Sequence, residues 1–199
     1  LIACNTASSA AFDEVKKHVA GKVPVLNVID PVVNAVAADS SFHKIGIIGT
    51  KGTIKSQVYD HKLKSLRPDI EVVSLATALL ASMIEAGFYN NSVSQAVINS
   101  YLGYPDFSDI QAMILACTHY PLIKKEVDSF FNQRVKIFDS TDAVTENLIG
   151  VLTLKNLLND HRRHPHHFYV SDFTESFEQT TKIFFKQEIH LEHCPIWED

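Results

Sequence analysis

Leu1-Ile2-Ala3-Cys4-Asn5-Thr6-Ala7-Ser8 and Ile114-Leu115-Ala116-Cys117-Thr118-His119-Tyr120-Pro121 are two versions of one pattern. In each, a short apolar run readable as a buried parallel strand ends at a cysteine, hydrogen-bonding residues follow, and a helical pattern begins. The sequence thus sets two thiols at equivalent points of two strand-to-helix turns. In open α/β sheets the carboxyl ends of the strands line the ligand crevice, and free N–H groups at helix starts attract anions, so a carboxylate-bearing ligand is expected there. The same groups favour a thiolate. Lowering a cysteine pKa from about 8.5 to about 7 would stabilise the anion by roughly 2 kcal/mol. A single cysteine is more often a packing residue than a base; the repetition of the whole context argues for chemistry.

The chain between and beyond the two motifs reads as repeated βα units. A helix is expected over 10–20, stopped by Gly21, then a strand over 23–28. Asp30-Pro31 punctuates the chain before a helix over 32–38 and the apolar strand Lys44-Ile45-Gly46-Ile47-Ile48. The turn Gly49-Thr50-Lys51-Gly52-Thr53 leads into one helix through Ser56, Tyr59 and Leu63, with Thr53 as its cap. Gly46, Gly49 and Gly52 are spaced three apart and match neither a P-loop nor a dinucleotide fingerprint. A strand over 70–75, helices over 77–86 and 93–102, the second cysteine strand, a strand over 135–138, a helix over 143–158, a strand over 168–170, a helix over 173–185 and a strand over 189–191 complete the pattern. Short connections of this kind give mostly parallel sheets flanked by helices, an α/β fold.

Composition narrows the function. The chain has 199 residues, 46% of them hydrophobic, and can bury a sizeable core. A net charge of −5 and the lack of a long basic stretch exclude a nucleic-acid surface, which needs clustered Lys and Arg. No apolar run approaches a membrane span and no signal-type segment opens the chain, so the reading is cytoplasmic, with no membrane partner. The 3 cysteines form neither a disulfide framework nor a Cys-x-x-Cys redox motif. The run His161-Arg162-Arg163-His164-Pro165-His166-His167 reads as a solvated linker beside a proline rather than a metal site, and Cys194, with no helix after it, as structural or incidental. No metal and no cofactor motif is legible.

Cys4-Asn5-Thr6-Ala7-Ser8 taken with Cys117-Thr118-His119-Tyr120-Pro121 resembles the paired signature of the bacterial glutamate racemases, within the aspartate/glutamate racemase superfamily. Gly49-Thr50-Lys51-Gly52-Thr53-Ile54-Lys55-Ser56 and Phe168-Tyr169-Val170-Ser171 resemble the same family in the same order. The resemblance implies two similar α/β domains facing each other across a cleft, residues 1–29 with 138–199 forming the first and 30–137 the second. It also implies that the chain, opening without Met inside a strand, lacks the family's N-terminal segment, so that the 199-residue chain alone would be inactive or barely stable. The activity implied is cofactor-independent racemisation of glutamate, supplying D-glutamate for peptidoglycan, with Cys4 deprotonating the D form and Cys117 the L form.

Inverting an α-carbon by moving one proton needs a base on one face and an acid on the other, with the roles exchanged for the mirror substrate; two equivalent cysteines provide that symmetry. The resemblance places Asn5, Thr6, Thr118, His119 and Thr50 at the substrate. His119, two residues from Cys117, is also suited to relay its proton. Glu85, near the end of a helix, reads as a surface residue by type; the family's pocket glutamate makes it a secondary candidate. Rival readings are a racemase-like fold kept only for binding an amino acid or inhibiting gyrase, a racemase for aspartate, and a thiol oxidoreductase. The partners expected are the small molecule glutamate and, as a homodimer, a second copy of the chain.

Overall fold

Ile45, Ile47 and Ile48 of one strand and residues 112–116 of another form the middle of a parallel sheet covered on both faces, which is why both strands read as unbroken apolar runs. The computed structural model describes residues 1–159, 164–173, 178, 181, 182, 184, 185 and 187–196. The chain opens with a single parallel bridge, Ile2 to Asn27, followed by α1 (Asn5–His18) and α2 (Asp30–Ala37). β1 (Lys44–Gly49), α3 (Lys51–Lys55), α4 (Val58–Leu66), β2 (Glu71–Ala76), α5 (Leu80–Glu85) and α6 (Ser92–Leu102) come next. β3 (Ala112–Ala116), a 3-10 turn Tyr120–Ile123, α7 (Lys124–Phe130), β4 (Lys136–Phe138) and α8 (Ser140–Leu154) follow, then β5 (Phe168–Val170) and β6 (Leu191–His193).

The four-stranded sheet has the order β2-β1-β3-β4, all parallel; β5 and β6 form a separate parallel pair. Strand alternation divides the core. Ile45, Ile47, Ala112 and Ile114 face Ile29, Val32, Val36, Tyr59 and Leu63 from α2 and α4. Ile48, Met113 and Leu115 face Leu80, Ile84, Ile98, Phe107 and Tyr120 on the other side, and Cys117 belongs to that second face. The carboxyl ends of β1, β2 and β3 therefore deliver Thr50, Thr77 and Cys117 to one edge of the sheet.

Several expectations need correction. Residues 1–3 are not a buried strand: the stretch pairs only through Ile2, and Leu1 is 56% exposed. Residues 23–28 are no strand beyond the bridge at Asn27, and Pro24 has no N–H to give a ladder. α1 begins at Asn5 rather than residue 10, which makes Cys4 its N-cap. The single helix expected through Ser56, Tyr59 and Leu63 is two, broken where Gln57 takes a left-handed φ of 53°. Thr50, not Thr53, caps α3, its hydroxyl accepting from the Thr53 N–H. Pro121 opens a 3-10 turn before α7, and α8 runs from Ser140 to Leu154 rather than 143–158. The last strand is Leu191–His193. The helix expected over 173–185, like His161 to Arg163, falls largely on residues outside the described set. His164, His166 and His167 are exposed, as a solvated segment requires.

Candidate active site

Cys4 is exposed and extended (φ −95°, ψ 129°), immediately before the first turn of α1, and so at that helix's positive end. Asn5 and Thr6 occupy that turn. Asn5 is buried, 2% exposed, and its Oδ1 accepts a 2.7 Å hydrogen bond from the Tyr59 hydroxyl on α4. Its Nδ2 is the one buried side-chain polar atom without a hydrogen-bond partner among the described residues. Thr6 Oγ1 lies 2.7 Å from Thr50 Oγ1 and 3.1 Å from Thr53 Oγ1, and the latter two are 3.1 Å apart, a closed triangle of hydroxyls between α1 and α3. Gly52 permits this approach: a Cβ there would stand 2.8 Å from Thr6 Cγ2.

Cys117 has the opposite surroundings. It is 6% exposed, and burial pushes its thiol from the ordinary 9.0 up to about 11. The backbone N–H of His119 and of Tyr120 pull the other way, while charge on Cys4 and on Glu85 pushes it further up. The expected lowering by a helix start is thus overturned at Cys117: a 3-10 turn follows it rather than an α-helix, and desolvation is the larger effect. Thr6, two residues after Cys4, meets Thr50, which follows Gly49 of β1, and Gly49 pairs with Ala116, the residue before Cys117; the fold thus brings the two thiols, far apart in sequence, into one neighbourhood.

His119 Nδ1 is 3.6 Å from Cys117 Sγ, and its Nε2 is 2.9 Å from a Glu85 carboxylate oxygen. The carboxylate can only accept, so this contact calls for a proton on Nε2, the tautomer that turns the Nδ1 lone pair to the thiol. The sequence left Glu85 secondary; the fold brings it to His119 from the end of α5. Thr118 is half-buried beside Cys117.

Thr53, Tyr59, Thr77 and Tyr120 were not singled out from the sequence as site residues. Tyr120 is fully buried, and its hydroxyl lies 2.7 Å from Thr77 Oγ1 and donates to the Thr77 carbonyl at 3.2 Å, fastening the turn after Cys117 to the end of β2. Tyr59 and Tyr120 are apolar by pattern, and only the buried hydroxyl marks them. Among the described residues, no group of three or more His, Cys, Asp or Glu could hold a metal ion. Hollows of about 670 Å3 beside Lys124, Arg134 and Lys136 and about 710 Å3 beside Lys22, Val25 and Val151 are lined by neither thiol, so cavity size alone would misplace the site.

Residues 1–148, which carry both cysteine motifs, match the family model described as Asp/Glu/Hydantoin racemase. The chain belongs to that racemase family. It is 33% identical over 198 residues to a glutamate racemase of Streptococcus pneumoniae (strain Hungary19A-6), an alignment spanning 98% of this chain and 74% of the relative. Among solved structures, the glutamate racemase of Francisella tularensis in complex with D-glutamate superposes with a TM-score of 0.87 at 34% identity, over 96% of this chain and 71% of that one. A glutamate racemase isoform, RacE1, of Bacillus anthracis superposes with a TM-score of 0.87 at 28% identity, over 98% of this chain and 74% of that one. Membership in this racemase family agrees with the α/β architecture and gives the two thiols a shared context. Among the described residues no helix is long and apolar enough to cross a membrane.

Proposed function

We propose that this family member interconverts L- and D-glutamate without a cofactor, Cys4 and Cys117 acting as opposed base and acid. The observation that carries this reading is the neighbourhood of two chemically different thiols, an exposed one at a helix N-terminus and a buried one backed by His119 and Glu85. One thiolate takes the α-proton, leaving a carbanion delocalised into the adjacent carboxylate; the opposite thiol then delivers its own proton to the other face. With L-glutamate, Cys117 is the base, passing its thiol proton to His119 Nδ1 as it becomes a thiolate. With D-glutamate, Cys4 is the base and Cys117 the acid. The raised Cys117 pKa suits the acid role at rest, and the substrate's ammonium group, arriving nearby, would favour the thiolate when the roles reverse.

Substrate identity rests on the relatives: the S. pneumoniae protein is named a glutamate racemase, and the F. tularensis structure is a complex with D-glutamate. In this reading Asn5, Thr6, Thr50, Thr118 and His119 hold the substrate's carboxylates and amine. Residues 1–29 with 138–199 carry one wall of the cleft and 30–137 the other. The product serves peptidoglycan synthesis in the cytoplasm, where thiols stay reduced.

Circular dichroism at one wavelength, following L-glutamate with the full-length protein and no cofactor added, tests the reaction: signal decays to zero if the reading holds, and an unchanged signal overturns it. The two-base assignment is tested with a glutamate analogue bearing a leaving group on its β-carbon, since elimination needs one base only. Cys4→Ser and Cys117→Ser should each lose racemisation, yet Cys4→Ser should eliminate from the L form and Cys117→Ser from the D form. Processing of the same enantiomer by both variants would remove the opposed pair.

A further inference from the structure

We infer that Tyr59 is a positioning residue for substrate binding: its hydroxyl, bonded to Asn5 Oδ1, fixes the Asn5 amide with its NH2 group free for a substrate carboxylate. The inference rests on the function proposed above and adds to it the residue that sets the polarity of the amide.

A side-chain amide has nearly the same shape either way round, and its neighbours decide which end faces where. Tyr59 lies on α4, 2% exposed, its ring packed in the core face with Ile29, Val32, Leu63 and Ile114. Its hydroxyl donates at 2.7 Å to Asn5 Oδ1. Burial, with the charge of Asp30 adding to it, raises the Tyr59 pKa far above the usual tyrosine range, so the phenol keeps its proton and remains a donor at every working pH. Asp30 is itself held by Lys62 of α4 at 2.7 Å and by Asn27 Nδ2 at 2.7 Å, which fixes its carboxylate in place.

Turning the Asn5 amide over would set its NH2 against the phenol. It would strip the buried O–H of its acceptor and leave a buried carbonyl oxygen in place of Nδ2. The phenol therefore selects one orientation, and the consequence is the unpartnered buried Nδ2 between Cys4 and Thr6. A buried donor without a partner is costly, and an anionic oxygen offsets that cost better than a neutral one. Both carboxylates of glutamate qualify; the ammonium group does not. Tyr59 thus acts from α4 on a residue of α1.

The test combines calorimetric titration with NMR on the full chain. For L- and D-glutamate, Asn5→Ala should raise Kd about tenfold or more, and Tyr59→Phe about fivefold, the equilibrium value of one net hydrogen bond. The double variant should bind no more weakly than Asn5→Ala alone, because Tyr59 acts only through Asn5. Additive losses would overturn the inference while leaving the racemase reading intact. Failure of the unaltered chain to bind glutamate would remove that reading and the carboxylate role with it. The orientation is checked without ligand: Tyr59→Phe should move the Asn5 13Cγ resonance upfield, since a hydrogen bond to its oxygen is lost. A change at 15Nδ2 with 13Cγ unmoved means the amide is reversed, and the inference is wrong.

Discussion

His119 and Glu85 meet at 2.9 Å between Nε2 and a carboxylate oxygen, and this contact sets which nitrogen of the ring faces the buried thiol. The pair is partly open to solvent, so its worth lies in tautomer and orientation rather than in stability. Glu85→Gln keeps an acceptor but loses the charge that steadies an imidazolium. We expect kcat/KM to fall about tenfold, a fraction of the 10² to 10⁴ that a whole acid–base group supplies. The discriminating measurement is β-elimination: Glu85→Gln should slow it in the Cys4→Ser background, where Cys117 is the base, and leave it within about twofold in the Cys117→Ser background.

The contrast between the thiols should be visible to an alkylating agent. Cys4 and Cys194 are exposed and Cys117 is buried with a raised pKa. At pH 8, iodoacetamide followed by peptide mass spectrometry should modify the first two at least about tenfold faster than Cys117. Equal rates for all three would contradict the burial of Cys117.

The same raised pKa gives a stability effect of definite sign. Between 9.0 and about 11 the folded Cys117 keeps a proton that the unfolded thiol has released, so stability is full below pH 9.0 and declines as pH rises through that window. Its total is on the order of 3 kcal/mol. Urea titrations at pH 8 and pH 11 should show a smaller loss for Cys117→Ala than for the unaltered chain, whose other groups titrate in both.

Gly52→Ala tests the hydroxyl triangle. Its new Cβ would meet Thr6 Cγ2 at 2.8 Å, and the Thr6 rotation that relieves the clash takes its Oγ1 away from Thr50 and Thr53. A loss of about 1–3 kcal/mol is expected by chemical denaturation. Thr6→Ser in the same background, lacking the methyl, should restore most of it.

Tyr120→Phe removes the hydroxyl that meets Thr77 Oγ1 and carbonyl in a fully buried place. The Thr77 hydroxyl keeps its bond to the Gly49 carbonyl at 3.3 Å, but the Thr77 carbonyl loses the phenol, and a cost of about 1–2 kcal/mol is expected in urea unfolding. Thr77→Val in addition should cost less than it does alone, since only the bond of the Thr77 hydroxyl to the Gly49 carbonyl remains to be lost.

The central sheet was legible because β1 and β3 are buried on both faces and so read as unbroken apolar runs. The two cysteines were legible as repeats of a context, and the family resemblance followed from them. Equivalence of the two turns was not borne out. Cys117 inherits the alternation of Met113 and Leu115 and points into the core, whereas Cys4 follows a stretch held by one bridge and stays exposed. Glu85 looked like surface because type and position carry no information about which histidine lies across the fold. Tyr59 and Tyr120 occupy core positions whose pattern shows the ring and not the hydroxyl. The break at Gln57 was invisible since a left-handed glutamine has no composition signal.

The unequal burial of the two thiols has a thermodynamic boundary. Mirror-image amino acids have identical free energies in water, so under the proposed reaction kcat/KM must be the same for both directions, however different Cys4 and Cys117 are. The buried, reluctant thiol cannot tilt the final mixture away from equal parts. It can only divide the barrier unevenly, so that the enantiomer turned over more slowly is held correspondingly more tightly. Under saturating substrate the molecule would look faster with one hand of glutamate, and at low concentration it would treat both alike.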